Sequence, residues 1–485
     1  MTSKESGRKK SPAWVHTVVF FVIMFGFGQL PAPAPLTPLG MNAAGIFLAL
    51  IYGWTAIGLI WPSIAGILGM AVLGVMPLSN IFSTGLGGSV VTLLLFMMVI
   101  AKNLEMSGIS KFIGLWFISR KVVLGRPWLL SYFLIIAVAI VSSLTSGAAM
   151  VILGWVILQD ILKEAKVERF EGYATYMMIG VAMATILGNG LFSFRTVGAV
   201  AFGVLTNVSG MVLNDFVFAV WQFAMCFILL GTYILLGKFV FKIDTGKIAA
   251  MDEAYFSSFD LSLSLRQKAT FSLMILLIIC MLAPSVMPKD WAVYGFLKAL
   301  GSNGSAALIC VLMSVVRIEG EPLMEPRKTF KEGVSWDVLF IGAAILPLAT
   351  GTFSSEEAGV SAFLAQTLSP LVAGQSGVAF LVMVAIIATI LTNFITNVTI
   401  PPILYPAFYP MAVSVGVGPV ELMCVIVFAC GLSMLLPSAC PMAAIMFGNR
   451  EWIKTKDIYK YAGAFLAVCL VIFVATIPIV QVIFP

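Results

Sequence analysis

Two short polar stretches lie inside otherwise apolar sequence: Ser142-Ser143-Leu144-Thr145-Ser146-Gly147 and Thr392-Asn393-Phe394-Ile395-Thr396-Asn397. Hydroxyls, amides and backbone carbonyls are the ligands that hard cations such as sodium accept, while small-residue loops at helix N-termini suit anions. In hydrocarbon an unpaired polar group costs on the order of several kcal/mol, so polar sequence at membrane depth needs a partner or a solute. Ser142 and Ser146 are four residues apart, as are Thr392 and Thr396, so each pair shares one face if helical. Back-bonding of each hydroxyl to a preceding carbonyl is the structural alternative.

Arg195 is the basic residue that falls well inside an apolar segment. No acidic residue is expected at its depth, because Asp160, Asp215 and Asp337 stand at segment ends. A buried cation without a fixed counterion is expensive. Three roles compete: it binds an anionic substrate, it occupies the place of a coupling cation, or it snorkels or pairs with backbone carbonyls alone. The first two point to anion transport. The lack of mid-membrane carboxylates disfavours an Asp/Glu proton relay, and fits sodium coupling through neutral oxygens or exchange of one anion for another.

The elements that must carry these residues are membrane helices. The chain is 60% hydrophobic and 10% charged, with mean hydropathy +1.06, where a soluble domain has about a quarter of its residues charged. Apolar segments of about 20 residues recur along the whole length, which predicts helices rather than a barrel. The first follows a basic leader with no small-residue cleavage site after it, so it reads as a helix and not a signal peptide. The seven cysteines have no metal-ligand spacing and read as reduced packing residues, and His16 reads as interfacial. No His/Asp/Glu cluster or activated nucleophile supports an enzyme.

Positive charge marks the cytoplasmic side. It clusters in the leader (Lys4, Arg8, Lys9, Lys10), at Lys102 to Arg126, Lys163 to Arg169, Lys238 to Lys268, Arg317 to Lys331 and Arg450 to Lys460. The net charge of +6 is therefore a topology signal and implies no nucleic-acid partner. The expected plan is an all-α polytopic membrane protein in a plasma or inner membrane, N-terminus cytoplasmic and C-terminus outside. Residues 1–13 form the leader and 14–87 scaffold helices. Residues 88–205 form a first repeat, with a hairpin over 128–160 entering from inside and an amphipathic stretch over 109–119. Residues 206–334 are scaffold helices with a linker over 242–268. Residues 335–448 form a second repeat with a hairpin over 377–411 entering from outside, and 449–485 a final loop and helix. Breaks are expected at 188–196 and 436–441. Three blocks recur in order: Glu105 to Phe112 with Glu356 to Phe363, Ser142 and Ser146-Gly147 with Thr392 and Thr396-Asn397, and Phe202-Gly203 with Phe447-Gly448. With opposite charge flanks, this is an inverted-topology repeat, the plan of many secondary transporters.

The two hairpins and the run Ser433-Met434-Leu435-Leu436-Pro437-Ser438-Ala439-Cys440-Pro441, followed by Phe447-Gly448, resemble the divalent anion:sodium symporter family of the ion transporter superfamily, over most of the chain. The resemblance implies a homodimer in the lipid bilayer, a scaffold domain and an elevator-like transport domain. It implies a small organic anion as substrate, of the di- or tricarboxylate kind, and sodium as the coupling ion in place of any cofactor. An inorganic oxyanion of the sulfate kind, or a sodium/proton carrier, is the alternative within the superfamily. Carried over by position, Ser142, Ser146 and Gly147 belong to a first sodium site, and Thr392, Ile395, Asn397 and Ala439 to a second. Substrate contacts fall on Ser146, Gly147, Arg195, Thr196, Thr396, Asn397, Val398, Cys440 and Pro441. The chain departs from the family's Ser-Asn-Thr tips, with Ser146-Gly147-Ala148 at one and Thr396-Asn397-Val398 at the other. It also offers Phe194-Arg195-Thr196 where the family has Gly-Thr-Pro-Pro.

Overall fold

The computed structural model describes residues 13–484 apart from 124, 252–260, 354 and 373. The leader lysines and arginine and the middle of the 242–268 linker lie outside the described residues. Along the chain the helices are α1 (Ala13–Gly26), α2 (Pro38–Ala56), α3 (Ile60–Val72), α4 (Leu78–Thr84), α5 (Ser89–Met106) and α6 (Ile109–Ile118). The first hairpin follows as α7 (Pro127–Leu144) and α8 (Gly147–Glu164), then a broken helix as α9 (Gly172–Gly188) and α10 (Thr196–Ser209). Next come α11 (Asp215–Leu235), α12 (Gly246–Ala249), α13 (Leu265–Leu282), α14 (Ala292–Val315), α15 (Pro326–Gly333), α16 (Trp336–Phe353) and α17 (Val360–Val372). The second hairpin is α18 (Gly377–Phe394) and α19 (Ile400–Ser414), the second broken helix α20 (Pro419–Cys430) and α21 (Pro441–Gly448), and α22 (Thr455–Ile483) ends the chain. A two-stranded ribbon, Arg317–Ile318 with Glu321–Pro322, is the sheet among the described residues.

Eight of these helices are long and apolar enough to cross a membrane, among them α7 and α18, the first arms of the two hairpins. The hairpins match in detail. Both first arms have 18 residues, displaced by 250 (Pro127 to Gly377). The second arms begin at Gly147 and at the single 3₁₀ turn Asn397–Thr399, the same displacement apart. The half-helices after the breaks begin at Thr196 and Pro441, 245 apart. α6 is a helix over the stretch expected to be amphipathic. α17 is a helix where the sequence reading found only the Glu356 to Phe363 block.

The chain divides into two compact units. The first holds α1 to α4, α16 and most of α17. There α2 packs on α1 and α3, and α3 on α16. Trp54 donates to Ser63 at 2.9 Å, and Thr37 donates to the Glu357 carbonyl at 2.7 Å, which fastens the loop before α17. His16 sits against Tyr52, 2.7 Å from its hydroxyl.

The second unit holds both hairpins and both broken helices. α7 and α8 pack on α9, and α18 and α19 pack on α20. α9 and α20 are buried along essentially their whole length, which explains why neither sequence shows an amphipathic face. Gly188 lets α9 close on α7, since a Cβ there would stand 2.2 Å from the Ala139 carbonyl oxygen. On the other side of α9, Tyr176 and Tyr233 of α11 stack at 4.3 Å between ring centroids. Each hydroxyl donates to the other residue's carbonyl, Tyr233 to Tyr176 at 2.6 Å. All seven cysteines are free thiols.

Candidate functional site

Every candidate residue falls in the second unit, at a hairpin tip or a helix break. The first tip forms because α7 ends at Leu144, where Thr145 and then Ser146 turn extended (ψ −176° and 122°). Ser146 caps α8, accepting from the Ala149 amide at 3.5 Å. The helix ends between Ser142 and Ser146, so their spacing of four does not give them one helical face. Ser142 instead donates to the Thr185 carbonyl of α9 at 2.9 Å, while Ser143 and Thr145 back-bond to carbonyls of α7.

α9 stops at Gly188, and residues 189–195 form the break. Arg195 caps the N-terminus of α10 by backbone position, with no side-chain cap bond of its own. Its side chain is 7% exposed. Nη2 donates to the Thr145 carbonyl at the first tip and to Asn189 Oδ1 at 3.1 Å. Thr145 and Asn189 are the residues that end α7 and α9. Nε is buried without a hydrogen-bond partner. One acid reaches this break after all. The Ser193 hydroxyl donates to Asp215, the first residue of α11, so a carboxylate expected at a segment end touches the loop that carries Arg195. It forms no ion pair with Arg195 among the described residues. Thr196 is half-buried beside it.

The second tip and break repeat this plan with different chemistry. Thr392 donates to the Cys430 carbonyl at 3.5 Å, as Ser142 does to Thr185. Ile395 and Thr396 are the extended tip residues. The Asn397 amide donates to the Ala439 carbonyl at 3.0 Å, and its side chain donates to Ser433 at 3.2 Å. Val398 is buried. Asn393 organises the break. Its Nδ2 donates to the Thr389 and Leu432 carbonyls, and its Oδ1 accepts from the Met434 and Leu435 amides at 2.9 and 2.7 Å. Cys440 occupies the position corresponding to Arg195, caps α21 by accepting from the Ala443 amide at 3.4 Å, and donates to the Ser433 carbonyl. Pro441 opens α21 and is exposed.

The two halves meet at Gly147. A Cβ there would lie 2.9 Å from Met442 Sδ of α21, and α21 packs on both α8 and α9. The first tip therefore touches the second half-helix directly. Each repeat brings two helix C-termini and two helix N-termini to one place, which pairs negative dipole ends with positive ones.

A family model described as the sodium:sulfate symporter transmembrane region matches residues 11–482. The chain belongs to that family. Members to which it is similar include the Na(+)/citrate cotransporter of Mus musculus, 29% identical over 29% of this chain and 25% of that protein. Solute carrier family 13 member 2 of Mus musculus is 26% identical over 38% of this chain and 34% of that protein. Solute carrier family 13 member 1 of Rattus norvegicus is 29% identical over 27% and 22%. The matches span 22–34% of the length of these curated relatives. Two solved structures share the fold: the Alcanivorax borkumensis YdaH transporter (TM-score 0.56, 15% identity, 98% of this chain and 100% of that one) and Neisseria gonorrhoeae MtrF (TM-score 0.53, 15% identity, 97% and 95%). The chain is thus a multi-span membrane protein of a transporter family.

Sequence reasoning missed Asn393, Asp215 and Thr185. Asn393 lay inside a recognised polar stretch, and four backbone bonds from one buried amide would have been its signal. Asp215 gave none, because its role depends on where Ser193 turns.

Proposed function

We propose that this protein is a secondary active transporter of a small organic anion of the di- or tricarboxylate class, coupled to sodium. The observation that carries the reading is the pairing of helix ends at each tip. N-termini of α8, α10 and α21 present first-turn amides and a positive dipole end to an anion. C-termini of α7, α9, α18 and α20 offer carbonyls to a cation a few residues away. Each ligand then stabilises the other, which is what coupling requires. The orphaned Nε of Arg195 adds a donor with no protein acceptor. Substrate lies between Ser146-Gly147, Thr196, Thr396 to Val398 and Cys440-Pro441. The cation takes Thr392, Ile395, Asn397 and Ala439, all neutral oxygens. In this reading the second unit moves against the first as an elevator, in a homodimer set in the plasma membrane with its N-terminus cytoplasmic.

The test is uptake into proteoliposomes across a panel of carboxylates, sulfonates and sulfate, with and without a sodium gradient. Saturable, sodium-stimulated uptake of a dicarboxylate is the expected result. Sulfate uptake in preference to carboxylates would support the inorganic oxyanion that the family description names. Unsaturable flux of any anion would overturn the transporter reading.

A further inference from the structure

We infer that the Arg195 guanidinium is a built-in cation for the first repeat, so that the protein takes one mobile sodium ion, at the second. The inference rests on the proposed sodium-coupled anion transport.

Arg195 is bound where negative helix ends converge. Nη2 bonds the C-capping residues of both α7 and α9, Thr145 by its carbonyl and Asn189 by its side chain. The free carbonyls of a helix C-terminus carry partial negative charge, and the guanidinium is bound to the two residues that cap such ends. Its hydrogen-bond partners are neutral, and Asp215 is held by Ser193.

The second repeat has the same helix ends and no such cation. α18 and α20 end at Ile395 and Gly431. The position matching Arg195 is Cys440, a neutral thiol. Residues 377–449 contain no Lys, Arg or His at all. What meets those ends is amide and hydroxyl: Asn393, Asn397, Thr392 and Ser433. Helix C-terminal carbonyls and neutral side-chain oxygens with no fixed positive charge beside them suit a small monovalent cation that comes and goes. In the first repeat the arginine already fills that role, so the resemblance-implied sodium at Ser142, Ser146 and Gly147 does not fit.

The experiment is sodium titration of the purified protein, read as thermal stabilisation, with choline replacing sodium at constant ionic strength. Stabilisation by one ion should rise with a slope of about one ion, and Thr392→Ala should abolish it. Arg195→Ala, which opens the first site, should steepen the slope to about two. Arg195→Lys keeps the charge and should leave it at about one. A wild-type slope of two, or an Arg195→Ala protein that is folded yet unchanged in slope, overturns the inference. If Arg195→Ala does not fold, the wild-type slope and its loss in Thr392→Ala decide. Absence of any sodium response overturns the mobile-ion half. These are binding readouts, so they stand apart from the uptake panel: a protein that transports no anion fails the function proposed above whatever its ion count.

Discussion

Asn393 shows how a single side chain can set a helix break. Its amide closes three backbone groups at residues 432–435 and bonds the Thr389 carbonyl one turn back in α18. Asn393→Ala strands those groups in a buried place, at about 1–3 kcal/mol for each one left unpaired. We expect a fall of roughly 3 kcal/mol in stability by thermal or denaturant unfolding in detergent, and loss of sodium stabilisation with it. Asn393→Asp keeps the acceptor for Met434 and Leu435 but loses the donors, so its effect should be smaller. Thr392→Val removes a hydroxyl from the second repeat and should weaken sodium stabilisation, whereas Ser142→Ala in the first should cost only about 1 kcal/mol of fold stability and leave the sodium response intact. At this scale the polar stretches were legible because hydrocarbon makes every buried hydroxyl conspicuous. The partners were not, because Thr185, Cys430 and Leu432 contribute carbonyls that carry no sequence signature.

Among the elements, the hairpins and breaks were the most legible. Charge flanks and small-residue interruptions located all four, and the matched displacement of 250 residues between the hairpins followed from the block pattern. The burial of α9 and α20 was not legible, since an all-apolar helix looks alike whether lipid or protein surrounds it. Contact between α7 and α9 depends on Gly188. Gly188→Ala would drive a Cβ into the Ala139 backbone, where no side chain can give way, and overpacking of this kind costs about 1–3 kcal/mol. A lowered melting temperature is expected with the sodium response intact, because Thr185 and Asn189, which flank that contact, belong to the first repeat. A second element-level tie joins α12 to the α8–α9 turn. Lys247 bonds Glu171 at 2.7 Å and, with the Glu168 amide, holds its carboxyl below the usual range. A lowered folded value stabilises above the unfolded value and is lost as pH falls through the folded one. Lys247→Ala should therefore reduce stability slightly at neutral pH and not at all in acid, the effect being small because the pair is exposed.

For the molecule as a whole, the two-unit division and the family membership leave one quantity that neither tip nor break defines alone: net charge in motion. In the proposed elevator motion, a guanidinium that never dissociates travels with its unit. With one sodium ion and a divalent anion aboard, the proposed cargo and the arginine sum to zero, so the loaded step feels no voltage. The empty unit is left with one positive charge. Moving one elementary charge through the membrane potential changes the energy by about 2.3 kcal/mol per 100 mV. An interior-negative potential should then hold the empty unit inward and slow net uptake, while anion-for-anion exchange, which skips the empty step, should proceed at the same rate at every voltage. Uptake and exchange assayed in vesicles clamped with valinomycin and potassium would separate the two, and equal voltage sensitivity of both would contradict the charge count. On the proposed ion count, the buried arginine would act as an electrical rectifier: the same fixed charge that spares a second ion would tie net flux, and not exchange, to the membrane potential.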